Sequence, residues 1–410
     1  MPRAPALVLL ALACGNRALP PSCYTAGSDD AFVQCGYCST PDLSYLQDGA
    51  SLAALCGQAG SPLPPPPPHA ALVSTLVAAL LNTSQIQGVY FLDEPGGLEE
   101  NATEALTYLL DTMPRRDWLQ LFAAPLSFSD FLVEHVRYAL YAYHTYSAAL
   151  GVTWADFLDA VLPFATLNEK RDVAFRWRPR FYATLAPLLR ASNATTVLGA
   201  FRVVVAAMPT LQLGGVYALT AAGGPSAANE TLAPGAPISW RSESSPARLS
   251  VQDTVQFGAS CTGTATTMAM AARSVGLPAR VVGCSESVVR GDDHHWLEVR
   301  DWSAPGPFGT HWHTREGASA GNADGPWDAP SGPMLGCLQG VVPGSSLDTL
   351  WATSWGSTTN LPTLWANDAR SALWARIGGV NVCGDYCTAW GCGANNSQRW
   401  TQAQCGPTAA

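Results

Sequence analysis

Cys261 opens the alanine-rich stretch Cys261-Thr-Gly-Thr-Ala-Thr-Thr-Met-Ala-Met-Ala-Ala-Arg273, which the spacing predicts as a helix closing at Gly276, with Pro278 just beyond. A thiol at a helix N-terminus meets unpaired backbone N–H groups and the positive end of the macrodipole. Both lower its pKa, as a nucleophile working near neutral pH requires. Taken alone, Cys261 reads equally as an inert buried thiol; the residues C-terminal to it tip the balance.

The elements that must position partners for this thiol come in order. Leu277-Pro-Ala-Arg-Val-Val-Gly283 is a short apolar strand, and Asp292-Asp-His-His-Trp-Leu-Glu-Val299 is a second. Period-two alternation sends His294, Trp296 and Glu298 to one face and His295, Leu297 and Val299 to the other. At most one of the adjacent histidines should therefore address the thiol, and alternation leaves open which. A third strand around His311-Trp-His-Thr-Arg-Glu316 puts Trp312, Thr314 and Glu316 on one face, so an acid is available to orient the imidazole. The plain alternatives are a satisfied strand histidine at His294, a solvated edge carboxylate at Glu316, and core walls at Trp296 and Trp312.

In sequence, Gly-x-x-Cys261, then Gly276-Leu-Pro-Ala-Arg-Val281, then His294-x-Trp-x-Glu-Val299, then Trp312-x-x-x-Glu316 resembles the core of the transglutaminase-like superfamily, whose chemistry is of the papain type. The resemblance implies His294 as the base, since its His-x-Trp pattern falls on His294 and Trp296. It implies Glu316 as the acid, in place of the family's usual Asp, with an insertion from Asp301 to Thr310 before it; Asp324 is the alternative acid. Upstream, Met113-Pro-Arg-Arg-Asp117, Phe131-Leu-Val-Glu-His135 and Val161-Leu-Pro-Phe-Ala-Thr-Leu-Asn-Glu169 resemble the helical region of bacterial members, and Trp327-Asp-Ala-Pro-Ser-Gly-Pro-Met334 resembles their closing segment.

Asp292, Asp293, His294, His295, His311 and His313 could also be read as metal ligands. Strand neighbours point to opposite faces, and no His-Glu-x-x-His or paired Cys-x-x-Cys accompanies them, so neither a metal nor another cofactor is expected. A formal charge of −9 over 410 residues, 48 % of them hydrophobic, gives no electrostatic footprint for nucleic acid. Lys170 is the only lysine.

Residues 1–18 read as a secretory signal peptide, and residues 19–63 as a Cys-bearing segment. Pro64 to Pro68 mark a linker over 64–70. Residues 71–235 are expected to be helical, with Ser127-x-x-Asp130 as a capping box and Leu132, Val136, Ala139, Leu140 and Tyr143 as a buried stripe. The Gly/Pro/Ser-rich stretch Ala222 to Ser245 reads as a loop, residues 236–345 as the core, and residues 346–410 as a Trp- and Cys-rich C-terminal region. The apolar runs Ala70 to Leu81 and Val197 to Met208 are too short or too interrupted to span a bilayer, so no stable membrane insertion is expected. With Cys261 free, Cys23, Cys35, Cys38, Cys56, Cys284, Cys337, Cys383, Cys387, Cys392 and Cys405 can pair completely; Cys14 depends on where the signal is cleaved. The sequons at Asn82, Asn101, Asn193, Asn229 and Asn395 suit a secreted glycoprotein.

The expected fold is α+β: a helical domain before a papain-like core, in which the Cys261 helix lies on an antiparallel sheet and the ends of the chain are disulfide-rich. The expected function is a secreted cysteine acyl-transfer enzyme acting on protein or peptide amides, with hydrolysis favoured over crosslinking. The alternative is a catalytically silent binding or structural module on the same scaffold.

Overall fold

The computed structural model describes residues 69–81, 97–113, 117, 125–208 (except 168, 170, 172 and 174), 216–219, 225–228, 251–284 (except 258), 294–316 (except 308), 327–341, 350–357, 378–393, 396 and 398. The expected signal peptide, the Cys-bearing segment, the proline linker, Lys170, Asp292, Asp293, Asp324 and Cys405 lie outside these residues.

Among the described residues the longer helices that come first are α1 (His69–Leu81), α2 (Gly97–Thr112), α3 (Pro125–Ala142), α4 (Trp177–Ser192) and α5 (Val197–Ala207). Helix α3 begins at Pro125, two residues ahead of the expected cap Ser127. The stripe Leu132, Val136, Ala139 and Leu140 is buried as its spacing requires, against Leu106 and Leu109 of α2 and Leu76 of α1. Helix α3 runs on into a π-helical turn, Tyr143–Ser147, and a second such turn, Phe157–Val161, follows a short helix capped by Thr153. Thr196 caps α5 through the Gly199 N–H.

A hairpin of β1 (Val216–Leu219) and β2 (Pro225–Ala228) departs from the expectation of helix and loop here. Pro225-Ser-Ala-Ala228 carries no β-branched or aromatic residue, so pairing with β1, and not its own propensity, makes it a strand.

The core comes next in the chain: α6 (Val251–Phe257), α7 (Cys261–Ser274), β3 (Ala279–Cys284), β4 (His294–Arg300), β5 (Trp312–Arg315), α8 (Gly332–Gly340), β6 (Leu350–Thr353), β7 (Gly379–Asn381) and α9 (Cys383–Trp390). Strands β3 to β7 form one sheet in the order β5-β4-β3-β6-β7, with every pairing antiparallel. The sheet thus continues past residue 345, drawing β6 and β7 from the Trp- and Cys-rich C-terminal region.

Two layers cover the sheet. Ala279, Val281, Leu297 and Val299 pack on Ala265, Met268, Ala269 and Ala272 of α7 and, beyond them, on α4 and α5. On the opposite face Val282, Cys284 and Trp296 pack on Met334, Cys337 and Leu338 of α8 and on Tyr386 of α9. Two disulfides staple this second layer, Cys284–Cys337 and Cys387–Cys392; Cys383 is also disulfide-bonded, and Cys261 is the free cysteine among the described residues. The architecture is α+β. Among the described residues no helix is long and apolar enough to cross a membrane.

Candidate active site

Helix α7 starts at Cys261 itself and ends as the sequence requires. Gly276 takes φ +81°, and the Gly276 and Leu277 N–H groups donate back to the Arg273 and Ala272 carbonyls. A side chain at Gly276 would lie 2.8 Å from the Ala142 carbonyl oxygen, so glycine both closes α7 and admits the end of α3.

A buried arginine pair fixes this end of the helix. Arg273 donates from Nε to the Ala160 and Ala279 carbonyls (3.0 and 2.9 Å) and from Nη1 to Ala165 (2.8 Å), which ties α7 to the segment around Val161–Ala165 and to the start of β3. Arg178 of α4 donates to the Arg273 carbonyl and to that of Val161, both at 2.6 Å. Its Nε donates to Nδ1 of His135 (3.3 Å), so His135 carries its proton on Nε2, which donates to the Leu162 carbonyl (2.6 Å). Burial, and then the Arg178 charge, push His135 well below the usual histidine range; it stays neutral and structural. Glu169 accepts from the Thr166 and Leu167 N–H groups, while Thr166 reaches Thr266 of α7 at 3.1 Å. The upstream motifs thus supply the frame against which α7 is held.

At the other end of α7, Cys261 is half-buried. His294 is the first residue of β4 and is buried, and its Nε2 lies 3.0 Å from Oε2 of Glu316, which lies one residue beyond β5. Its other nitrogen, Nδ1, is buried and has no aligned hydrogen bond among the described residues. That nitrogen is available to the thiol proton, a contact that resting enzymes often hold loosely.

Burial pushes the Cys261 thiol up, but interaction with His294 and then His295 outweighs it and brings the pKa down to about 6. Burial pulls His294 down, but interaction with Cys261 and Glu316 overrides it and raises that pKa to about 9. Between these values the resting pair is thiolate and imidazolium.

His295 lies beside the start of α7 as well. Its Nδ1 lies 2.9 Å from the Thr262 hydroxyl, which is itself 3.9 Å from the Cys261 sulfur. The two histidines do occupy opposite faces: His295 shares the α7 face with Leu297 and Val299, and His294 the face of Trp296 and Glu298. His295 meets Thr262, the second residue of α7, directly, and both histidines lower the Cys261 pKa.

Glu298 has its own partners. Trp296 Nε1 donates to the Tyr386 hydroxyl (2.7 Å), which donates to Glu298 Oε1 (2.6 Å), and Arg280 donates to Oε2 (2.6 Å). Trp296, fully buried with its ring centre 5.9 Å from that of His294, is a wall of the site. Trp312 packs beneath the Arg280 guanidinium, 3.9 Å from its ring centre. Asp156, which nothing in the sequence singled out, accepts from Arg300 and from Trp302 Nε1, tying the far end of β4 to the helices.

Of the residues weighed as possible metal ligands, those described take separate partners: His311 bonds the Ala304 carbonyl (3.0 Å), His313 bonds Asp328 (2.8 Å) and His294 meets Glu316 (3.0 Å). Among the described residues no group of three or more His, Cys, Asp or Glu could hold a metal ion.

No curated protein and no solved structure matches the chain. One family model does, over residues 229–312, a span that contains Cys261 and His294 and stops short of Glu316. The family it describes is the transglutaminase-like superfamily, and residues 229–312 are similar to that family's core.

Proposed function

We propose that the protein is a secreted cysteine enzyme that opens protein or peptide amide bonds through a thioester. The observation that carries this reading is the arrangement of a free thiol at a helix start with a buried histidine whose far nitrogen is held by a carboxylate. In the resting enzyme the Cys261 thiolate attacks the amide carbon and forms a tetrahedral oxyanion, with the first backbone N–H groups of α7 as its donors. Collapse breaks the C–N bond; the His294 imidazolium gives its proton to the departing amine, and a thioester remains. Neutral His294 then takes a proton from water, whose oxygen adds to the thioester. The tetrahedral adduct expels the thiolate, and the carboxylic acid leaves. Glu316 holds the ring throughout, so that Nδ1 serves the thiol.

Hydrolysis is favoured over crosslinking, because transfer to an amine needs a channel that keeps water from the thioester, and no described feature supplies one. The test is to incubate glutaminyl peptides and protein substrates with a labelled primary amine and follow both products by mass spectrometry. Deamidation or chain cleavage outrunning amine incorporation supports the proposal. Dominant amine incorporation would reassign the acceptor while keeping the nucleophile. Neither product, with Cys261 accessible, would favour a silent binding module.

A further inference from the structure

Glu316 is held from two sides. Its Oε2, the oxygen that meets His294, also accepts a hydrogen bond from the Ser331 hydroxyl at 2.5 Å. Ser331 is in turn the N-cap of α8: its oxygen accepts from the Met334 N–H at 3.2 Å. The hydroxyl is therefore polarised in one direction, accepting from the helix and donating to the carboxylate. Helix α8 is itself fastened to the sheet, since Cys337 is bonded to Cys284, and Cys284 stands directly opposite His294 in the β3–β4 register. Base and acid holder are thus anchored to neighbouring points of one covalently closed unit.

This answers a problem the sequence poses. A glutamate where the family's pattern has aspartate brings one more rotatable bond, and an acid free to swing cannot hold an imidazole in one orientation. We propose that Ser331 is a positioning residue that fixes the longer Glu316 side chain on His294, making the working relay Cys261–His294–Glu316–Ser331. This rests on the thiol-enzyme reading above.

Capping and positioning can be separated at this residue. Ser331→Ala removes both the cap and the donor; Ser331→Gly keeps most of the capping but has no hydroxyl; Ser331→Thr keeps both. The measurement is the rate of Cys261 alkylation by iodoacetamide against pH in the native full-length protein, together with kcat and KM on a cleaved peptide. The expected result is that the Ala and Gly variants both move the acid limb of alkylation upward and lose on the order of tenfold to a hundredfold in kcat with KM little changed, while Thr behaves as the parent. If the Gly variant matches the parent and only Ala is impaired, Ser331 merely caps a helix and the proposal falls. It falls also if Ala matches the parent. If Cys261 in the parent protein is itself unreactive near neutral pH, the thiol-enzyme reading fails first; reactive parent protein with unshifted Ala and Gly variants sinks the Ser331 assignment alone.

Discussion

Gly283 sits directly opposite His295 in the β3–β4 register, and there is no room between them for a side chain. A Cβ at Gly283 would lie 2.6 Å from Cδ2 of His295 and 2.5 Å from the His294 carbonyl oxygen. One of these neighbours is backbone, so the strands themselves would have to part. Gly283→Ala is expected to cost about 1–3 kcal/mol and to lower activity further than that loss implies, because both histidines move. Urea unfolding monitored by tryptophan fluorescence, set beside kcat/KM at a temperature where the variant stays folded, checks both parts.

The titration of the site predicts a bell-shaped pH profile. Cys261 must be deprotonated, so kcat/KM falls as pH drops through about 6; His294 must be protonated, so it falls again as pH rises through about 9. Alkylation of Cys261 needs only the thiolate and should show the acid limb alone near pH 6. A single limb near the ordinary thiol range would contradict the pairing with His294.

The two histidines should separate in their effects. His294→Ala is expected to lower kcat by about 10²–10⁴-fold, the usual worth of a positioned base, with the fold kept. His295→Ala should leave catalysis measurable but move the alkylation limb upward, because His295 also helps draw the thiol pKa down. Parallel pH–alkylation curves for the two variants decide this. Equal loss of turnover in both, with no shift for His295→Ala, would return His295 to a packing role.

Arg273→Met should destabilise the protein severely without touching the site. It leaves the Ala160, Ala165 and Ala279 carbonyls unsatisfied in the interior, at about 1–3 kcal/mol each. Melting temperature and hydrogen exchange along α7 report it, and surviving folded protein should keep its Cys261 alkylation profile.

Removing the Cys284–Cys337 disulfide by a double substitution to alanine should cost about 4 kcal/mol on chain-entropy grounds, since it closes a loop of 53 residues. A denaturant midpoint nearly unchanged would mean that α8 is held by packing alone.

Part of this arrangement was legible before the fold. The resemblance carried by Cys261, His294-x-Trp296 and Trp312-x-x-x-Glu316 implied three side chains, with Asp324 as the alternative acid, and two of them, His294 and Glu316, lie 3.0 Å apart, although the family match stops before Glu316. The contact of His295 with Thr262 escaped because alternation assigns faces but says nothing of where a helix begins relative to a strand; that depends on how α7 lies across the sheet. Ser331 escaped because a cap serine is read for the helix it starts, and its second partner lies 15 residues back across a tertiary contact. Arg273 was not singled out in the sequence, because its carbonyl partners lie far from it along the chain. Strands β6 and β7, of four and three residues, are too short to carry a period. The β1–β2 hairpin was hidden because β1 falls at the end of a stretch read as helical and β2 in a Gly/Pro/Ser-rich stretch that signals a loop.

The sheet order has a practical corollary for anyone who would cut this chain down. A fragment trimmed to the recognisable stretch would lose β6, so β3 would change from an interior strand to a bare edge with unpaired N–H and C=O groups. It would also lose Tyr386, leaving Glu298 buried with half its partners gone. Such a fragment is expected to aggregate edge to edge, because the stretch that matches the family model is shorter than the stretch that folds.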